Sequence, residues 1–102
     1  MDPFDKAYDL SGKTALITGS RKGIGFAIAR TLAQARANVI INGTADPEAA
    51  QSAVNELQEA AEGGDAWYCR SDLTQPGSAD ALFEQSVALT GQIDILVSNA
   101  SV

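Results

Sequence analysis

A chain of 102 residues, 45% hydrophobic and 20% charged, has the composition of one globular domain with a modest core. Its net charge of −6 argues against nucleic acid as the main partner, because phosphate backbones are bound by clustered Lys and Arg. No segment approaches the roughly 18 consecutive apolar residues of a membrane span, and the acidic start of the chain does not resemble a secretory signal. We therefore expect a cytoplasmic protein with neither a nucleic-acid partner nor a membrane partner.

The counts of individual residue types narrow the possible chemistry. The chain has no His, which removes the commonest general base and metal ligand, and we predict no metal site. Cys69 is the one cysteine and lies in a predicted strand, where a small buried thiol is expected. Three of the seven basic residues, Lys13, Arg21 and Lys22, fall close together, which indicates a small anionic ligand.

Four short apolar runs predict strands over residues 14–18, 38–42, 66–70 and 93–97. Most of these runs are continuously apolar, which favours strands covered on both faces in a parallel sheet. Helical patterns fill the three intervals, over residues 24–36, 47–62 and 76–90. The residues predicted to face the core are, helix by helix, Ile24, Ile28, Leu32 and Ala35; Ala50, Val54, Leu57 and Ala61; and Ala79, Leu82, Phe83 and Val87.

The predicted helix ends have recognisable signals. Asp46 is expected to be the N-cap of the second helix, with Pro47 at its first position. Gly63 and Gly64 are expected to end that helix in a left-handed turn, and Gly91 to end the third helix.

The alternation of strands and helices predicts an α/β protein. Right-handed crossovers assemble such a chain into a parallel sheet with helices on both faces. We predict a three-layer Rossmann-type half domain over residues 13–102, with strand order 3-2-1-4, preceded by a loose arm over residues 1–12. In this arrangement a ligand crevice lies at the carboxyl ends of strands 1 and 4.

A glycine-rich loop follows the first predicted strand. Gly19 permits a sharp turn, Gly23 lets a pyrophosphate approach backbone N–H groups, and Gly25 permits close packing of helix on strand. The amino end of the following helix attracts negative charge. Although such a turn can need its glycines for conformation alone, their spacing between a β-branched strand and an amphipathic helix favours dinucleotide binding.

Three motifs resemble the short-chain dehydrogenase/reductase family. Residues 18–25, Thr-Gly-Ser-Arg-Lys-Gly-Ile-Gly, resemble its cofactor fingerprint, Thr-Gly-x-x-x-Gly-Ile-Gly. Asp72-Leu73 resembles its adenine-contacting Asp, and residues 94–101 resemble its Asp-x-Leu-Val-Asn-Asn-Ala-Gly stretch, with Ser98 and Ser101 departing from the family's Asn and Gly. The lead-in at 9–13 and the stretch at 41–43 are similar to gluconate 5-dehydrogenase-like members.

The resemblance implies a dinucleotide site at the carboxyl end of the sheet. Its predicted members are Gly19, Ser20, Arg21, Lys22, Gly23, Ile24, Gly25, Thr44, Asp72, Leu73, Asn99 and Ala100. Two alternatives stay open: Asp72 could cap the loop before the third helix, and Arg21 and Lys22 could be solvated loop cations. Asn99 is expected first to tie neighbouring strands together beside the ribose.

The end of the second strand predicts the cofactor. NAD specificity usually places Asp or Glu there to bind the ribose hydroxyls, whereas NADP needs neutral or basic groups near its phosphate. In this chain Gly43 and Thr44 occupy the positions where an NAD-specific protein would have Asp or Glu. Arg21 and Lys22 could bind the phosphate of NADP. We therefore predict NADP. In the turn between the first helix and the second strand, where the family commonly has Gly, this chain has Arg36, and a left-handed turn there would cost about 1 kcal/mol unless the turn is reshaped.

The family's catalytic Ser and Tyr-x-x-x-Lys pair are not found in this sequence. Tyr8 and Tyr68 are followed four residues later by Gly12 and Asp72. Two hypotheses therefore compete: a truncated NADP-dependent oxidoreductase of a carbonyl or secondary alcohol, inactive alone, or a nucleotide-binding or interaction module without catalysis. Because strand 4 would form a bare sheet edge, with Ile93, Ile95 and Val97 poorly covered on at least one side, we also expect a homo-oligomer through that edge or the adjacent helix.

Overall fold

The computed structural model describes residues 9–99, which form four strands alternating with three helices. The strands are β1 (Thr14–Ile17), β2 (Asn38–Gly43), β3 (Ala66–Arg70) and β4 (Ile95–Val97). The helices are α1 (Gly23–Gln34), α2 (Pro47–Ala60) and α3 (Ser78–Thr90). Residues 1–8 of the predicted arm and the predicted site residue Ala100 lie outside the described residues.

The strands form one parallel sheet in the order β3-β2-β1-β4, which confirms the predicted topology. In the register, Ala15 of β1 lies opposite Ile95 of β4, and Gly43 of β2 lies opposite Arg70 of β3. The carboxyl ends of all four strands therefore lie along one side of the sheet, which we call its carboxyl edge, as distinct from the outer strands β3 and β4. Among residues 9–99, no helix combines the length and the apolar character needed to cross a membrane.

Helices cover both faces of the sheet, as predicted. Helices α1 and α2 pack on the face that carries Ile17 and Ile41, while α3 packs through Leu82 on the face that carries Leu16 and Ile40. The inner strands β1 and β2 are therefore buried almost throughout, as continuous apolar runs predict. The outer strand β4 has less cover and is at most half-buried.

The predicted inner face of α1 is wrong by one position. Its fully buried residues are the small Gly25, Ala29 and Ala33, whereas Ile24 is 76% exposed. The side chains of Ile28 and Leu32 are only partly buried at the margin of the core. Small residues at the centre of the contact let the helix backbone approach the sheet closely, so the larger apolar side chains lie to its sides.

Helix α3 also differs from the predicted pattern. Its buried residues are Leu82 and Ser86, while Ala79 is exposed and Phe83 is 46% exposed. Ser86 can be buried because its hydroxyl donates to the Leu82 carbonyl at 2.8 Å, which satisfies the polar group inside the helix. Hydrophobic periodicity alone could not identify this position.

The helix ends confirm one predicted signal and correct another. Gly91 ends α3 in the left-handed conformation, with φ 87°. The end of α2 was predicted at a left-handed glycine, but the helix ends at Ala60 and Ala61 is already extended, so Gly63, which has a positive φ of 117°, lies beyond the helix end. Gly64 serves close packing instead, because a Cβ built on it would lie 2.2 Å from the Ala37 carbonyl oxygen. The bulk of a side chain, and not the sign of φ, is what Gly64 avoids.

Arg36 adopts the left-handed conformation that the sequence predicted, with φ 76°. Its N–H donates to the Ala33 carbonyl at 3.0 Å, and the Ala37 N–H donates to Leu32 at 3.1 Å, which is the bonding pattern of a Schellman turn. The turn is not reshaped to suit Arg, so the backbone strain of about 1 kcal/mol remains. An ion pair to Asp9 at 3.8 Å is too exposed to offset much of it.

Candidate functional site at the carboxyl edge of the sheet

The glycine-rich loop joins the carboxyl end of β1 to the amino end of α1. Gly19 turns the chain with φ 59°, a left-handed conformation that favours glycine. Gly25 lies in the first turn of α1, where a Cβ would be 2.5 Å from the Gly19 carbonyl oxygen and 2.7 Å from Asn99 Nδ2. The loop therefore folds back on itself so tightly that only glycine fits at position 25.

The middle of the loop is open to solvent. Gly23 also has a left-handed φ of 68°, and no atom lies within 4 Å of a Cβ built on it. Lys22 and Ile24, which flank it, are exposed. Helix α1 begins at Gly23, so its unpaired backbone N–H groups lie at this open surface. A phosphate could approach the backbone here without displacing a side chain.

Ser20, predicted as a cofactor contact, is completely buried. Its hydroxyl donates to the Ile17 carbonyl and accepts the Asn42 N–H at 2.9 Å, while its own N–H donates to the Asn42 carbonyl at 2.8 Å. This burial argues against a direct contact with a ligand. Ser20 instead fixes the loop to the end of β2.

Asn42 is the buried residue that links three strand ends, and the sequence analysis gave it no role. Its Oδ1 accepts the Gly19 N–H at 3.0 Å. Its Nδ2 donates to the Cys69 carbonyl at 3.1 Å and to the Ser71 carbonyl at 3.4 Å. One side chain thus joins the loop after β1 to the ends of β2 and β3. A polar residue in the penultimate position of a buried strand was the available signal, since such a group must have partners.

Asn99 has the architectural role expected for it. Its N–H donates to Thr18 Oγ1 and its Nδ2 donates to the Gly19 carbonyl, both at 3.0 Å. The Thr18 N–H in turn donates to the Val97 carbonyl at 3.0 Å. These bonds hold the end of β4 against the glycine-rich loop.

Asp94 directly precedes β4 and has a different role, at the amino end of that strand. Its Oδ2 accepts the Thr14 N–H at 2.9 Å, and its own N–H donates to the Thr14 carbonyl at the same distance. The bond from Thr14 holds the pKa of the Asp94 carboxyl below its usual range. Asp94 therefore pins the start of β4 to β1 and lies at the edge of the sheet opposite the glycine-rich loop.

Asp72 lies on an exposed turn after β3. Its Oδ1 accepts the Thr74 hydroxyl at 2.6 Å and the Thr74 N–H at 3.0 Å. These two bonds, the hydroxyl first, hold the pKa of the Asp72 carboxyl below its usual range, so it is ionised at neutral pH. The capping role that the sequence left open is therefore present, and the exposed carboxylate remains accessible to a ligand.

The neighbouring Leu73 lines a groove of about 270 Å³ between β4 and α3. Its other lining residues are Leu16, Thr18, Ala79, Leu82, Phe83, Leu96 and Ser98. The groove is mostly apolar, and it opens beside the carboxyl ends of β1 and β4. It is the part of the site that could receive a flat apolar ring.

The end of β2 carries positive charge on both sides. Gly43 is neutral, and a Cβ built on it would lie 3.4 Å from Arg21 Cβ and 3.4 Å from the Tyr68 hydroxyl. On the other side, Arg70 donates from Nε to the Thr44 carbonyl at 3.1 Å. Arg70 is a cation that the sequence analysis did not identify as part of the site.

The prediction that the Asp46 side chain caps α2 is wrong. Asp46 occupies the N-cap position but makes no capping bond with its side chain. Its Oδ1 instead accepts Arg70 Nη1 at 2.7 Å. The carboxylate nearest to the end of β2 is therefore already paired with a cation.

A second groove, of about 350 Å³, lies between the glycine-rich loop and α2. Its lining residues are Arg21, Lys22, Gly23, Phe26, Ala49, Ser52, Ala53 and Glu56.

Within residues 9–99 no cluster of three or more His, Cys, Asp or Glu side chains is placed to hold a metal ion. Cys69 is buried, and burial raises the pKa of its thiol. The buried thiol expected in this strand is confirmed.

Comparison with known proteins agrees with this geometry. The sequence model for the short chain dehydrogenase family matches residues 13–102. The chain is 44% identical over 93 residues to elsinochrome reductase 1 of Elsinoe fawcettii, a match that covers 91% of this chain and 34% of the reductase. The chain therefore belongs to the short-chain dehydrogenase family.

Solved structures of related proteins share the fold and differ in cofactor. The NADH-dependent reductase A1-R′ complexed with NAD superposes with a TM-score of 0.81 at 38% identity, over 93% of this chain and 39% of that one. The Pseudomonas aeruginosa RhlG/NADP active-site complex superposes with a TM-score of 0.83 at 34% identity, over 100% of this chain and 37% of that one. The chain spans about a third of the length of the curated relatives it matches, 34% for elsinochrome reductase 1.

Proposed function

We propose that this chain is the dinucleotide-binding part of an NADP-dependent oxidoreductase that interconverts a carbonyl and a secondary alcohol. The observation that carries the proposal is the loop at residues 18–25, whose open backbone at Gly23 lies beside Arg21 at the carboxyl edge of the sheet. Backbone N–H groups at the start of a helix and an adjacent guanidinium are the groups that bind a pyrophosphate. When bound, the dinucleotide would supply the hydride chemistry.

The proposed contacts divide among three parts of the nucleotide: the pyrophosphate, the adenine and the ribose. Residues of the loop and of the start of α1 would hold the pyrophosphate. The Asp72 carboxylate would accept a hydrogen bond from the adenine amino group, with Leu73 against the ring, and Asn99 would lie beside the ribose. The proposed contact residues are Gly19, Arg21, Lys22, Gly23, Ile24, Gly25, Thr44, Asp72, Leu73, Asn99 and Ala100.

The preference for NADP rests on the charges at the end of β2. A ribose with two hydroxyls needs a carboxylate there, but positions 43 and 44 are Gly and Thr. The nearby Asp46 is paired with Arg70, so its negative charge is offset, and Arg21 adds a further cation beside this turn. Relatives of known structure include both an NAD complex and an NADP complex, so the proposed preference for NADP rests on these residues alone.

The proposed substrate and catalytic step rest on membership of the family. The short-chain dehydrogenases use a Ser and a Tyr-x-x-x-Lys pair, and this sequence contains no Tyr-x-x-x-Lys. We therefore propose that the 102-residue chain binds the cofactor without turning it over. The similarity at 9–13 and 41–43 makes a sugar acid such as gluconate the finer proposal for the substrate of the whole enzyme.

Two assays on the purified chain test these proposals. The adenosine side should supply nearly all of the affinity, so 2′,5′-ADP and NADPH should bind within about fivefold of each other by calorimetry. Much tighter binding of NADPH would contradict the assignment of the contacts to the adenosine side. Carbonyl-dependent oxidation of NADPH by the chain alone would contradict the claim that it is inactive.

The exposure of β4 favours a second candidate function, self-association. β4 lies at an edge of the described sheet, and its Leu96 is 59% exposed and adjoins the half-exposed Phe83 in the groove on that face. The exposure falls on Leu96, whereas Ile95 and Val97 are half-buried against the core. Two copies that cover this surface would remove apolar area from water.

Light scattering tests this candidate directly. We expect a dimer or a larger oligomer at concentrations of about 100 μM, and we expect Leu96→Lys to yield a monomer, because it places a charge in the proposed contact. A wild-type protein that stays monomeric at high concentration would contradict self-association and would leave nucleotide binding as the one proposed function.

A further inference from the structure

Arg70 is held at the carboxyl end of β3 by two contacts with the turn that follows β2. Its Nε donates to the Thr44 carbonyl at 3.1 Å, and its Nη1 donates to Asp46 Oδ1 at 2.7 Å. Both side chains of the ion pair are well exposed, 56% for Arg70 and 74% for Asp46. The pair is therefore accessible to a ligand that arrives from solvent.

The turn at 43–46 is fixed in position by Tyr68. Its hydroxyl donates to the Ala45 carbonyl at 2.6 Å, and burial of the ring raises the pKa of that hydroxyl, so it stays protonated. The positive charges of Arg21 and Arg70 both act to lower the pKa of Tyr68 and so oppose this increase. Both cations adjoin this short turn, since Arg21 Cβ lies 3.4 Å from a Cβ built on Gly43 and Arg70 donates to the Thr44 carbonyl.

We infer that Arg70 is a specificity-determining residue, which exchanges its bond to Asp46 for a bond to the 2′-phosphate of the bound nucleotide. This inference rests on the proposed preference for NADP. The second contact of Arg70, to the Thr44 carbonyl, does not involve Asp46 and would keep the guanidinium in place during the exchange.

The relative strengths of the two partners favour the exchange. An exposed ion pair between two long side chains is weak, because water and salt screen it. A phosphate monoester carries about 1.5 to 2 negative charges and accepts several charge-assisted hydrogen bonds from a guanidinium. Asp46 would therefore act as an internal competitor that occupies Arg70 until the phosphate arrives, and it would lower the affinity for the phosphate by a modest factor.

The test uses two nucleotides that differ only in the 2′-phosphate, 2′,5′-ADP and 5′-AMP, titrated into the 102-residue chain. Arg70→Gln should weaken the binding of 2′,5′-ADP by about tenfold and leave the affinity for 5′-AMP within twofold of wild type. Arg70→Lys, which keeps the charge but loses the fork of donors, should give a smaller loss of about threefold. Asp46→Asn should strengthen the binding of 2′,5′-ADP by about threefold.

Matched controls change the same charges elsewhere on the surface. Arg30→Gln removes an exposed cation from α1, and Asp80→Asn removes an exposed carboxylate from the first turn of α3. Both should leave the two affinities within twofold of wild type. If the control variants change the affinity for 2′,5′-ADP as much as the variants at 70 and 46 do, the change is caused by net charge alone and the inference is overturned.

The outcomes separate this inference from the proposed function. If wild type prefers 2′,5′-ADP and Arg21→Gln removes the preference while Arg70→Gln does not, the role of Arg70 is overturned and the NADP preference stands. If wild type binds the two nucleotides equally, the NADP preference fails and the inference fails with it. If neither nucleotide binds, the proposed nucleotide-binding function itself is contradicted.

Discussion

Replacing Gly25 with Ala is expected to abolish nucleotide binding and to lower the free energy of unfolding by about 2 to 3 kcal/mol. The added Cβ would lie 2.5 Å from the Gly19 carbonyl oxygen, 2.7 Å from Asn99 Nδ2 and 2.8 Å from Ser20 Cα. Two of these three atoms belong to the loop backbone, so the loop must move away from α1. Its backbone N–H groups would then no longer converge on one phosphate.

A second glycine provides the control for this variant. A Cβ on Gly64 would lie 2.2 Å from the Ala37 carbonyl oxygen, just before β2 begins and therefore at the opposite edge of the sheet. Gly64→Ala should destabilise the fold by a similar amount yet leave the affinity of the folded fraction for 2′,5′-ADP unchanged. Urea unfolding followed by circular dichroism, together with calorimetry, measures both quantities. Wild-type affinity in Gly25→Ala would refute the placement of the phosphate at this loop.

Replacing Asn42 with Ala is expected to lower the free energy of unfolding by about 3 kcal/mol. Asn42 is 2% exposed, so removal of its side chain leaves a buried space in which its hydrogen-bond partners have little access to water. The Gly19 N–H and the Cys69 carbonyl would both lose their bonds to it. Each buried polar group left without a partner costs about 1 to 3 kcal/mol, which is more than the net worth of the bond itself.

Asn38, at the other end of β2, is the matched control. Its Oδ1 accepts the Asp65 N–H at 3.0 Å, but this bond lies at an exposed position where water can replace it. Asn38→Ala should therefore lower the free energy of unfolding by about 1 kcal/mol or less. Equal losses in the two variants, measured by chemical unfolding, would show that the Asn42 network has no special role in holding the strand ends together.

The order of the strands and the position of the loop could be predicted because they depend on local patterns. Continuous apolar runs, helical spacing and the glycines at 19, 23 and 25 are all visible within short windows of sequence. The strain at Arg36 was predictable for the same reason, since it follows from the conformation of one turn.

The remaining features depend on contacts between distant residues. The buried face of α1 follows from how closely Gly25, Ala29 and Ala33 let the helix approach the sheet, and that distance is a property of the packed fold. The pairing of Asp46 with Arg70 joins residues 24 positions apart in sequence and displaces the local N-cap interaction that a short window suggests. Long-range pairs of this kind were not identified from the sequence alone.

The central claim is that residues 18–25 and the end of β2 bind a 2′-phosphorylated dinucleotide. Its most direct test is calorimetric titration of the 102-residue chain with NADP⁺ and with NAD⁺ at low and at physiological salt. We predict that NADP⁺ binds at least about tenfold more tightly, since charge-assisted bonds to a phosphate are worth about 1.5 kcal/mol or more, and that salt reduces this preference by screening. Equal or tighter binding of NAD⁺ would contradict it.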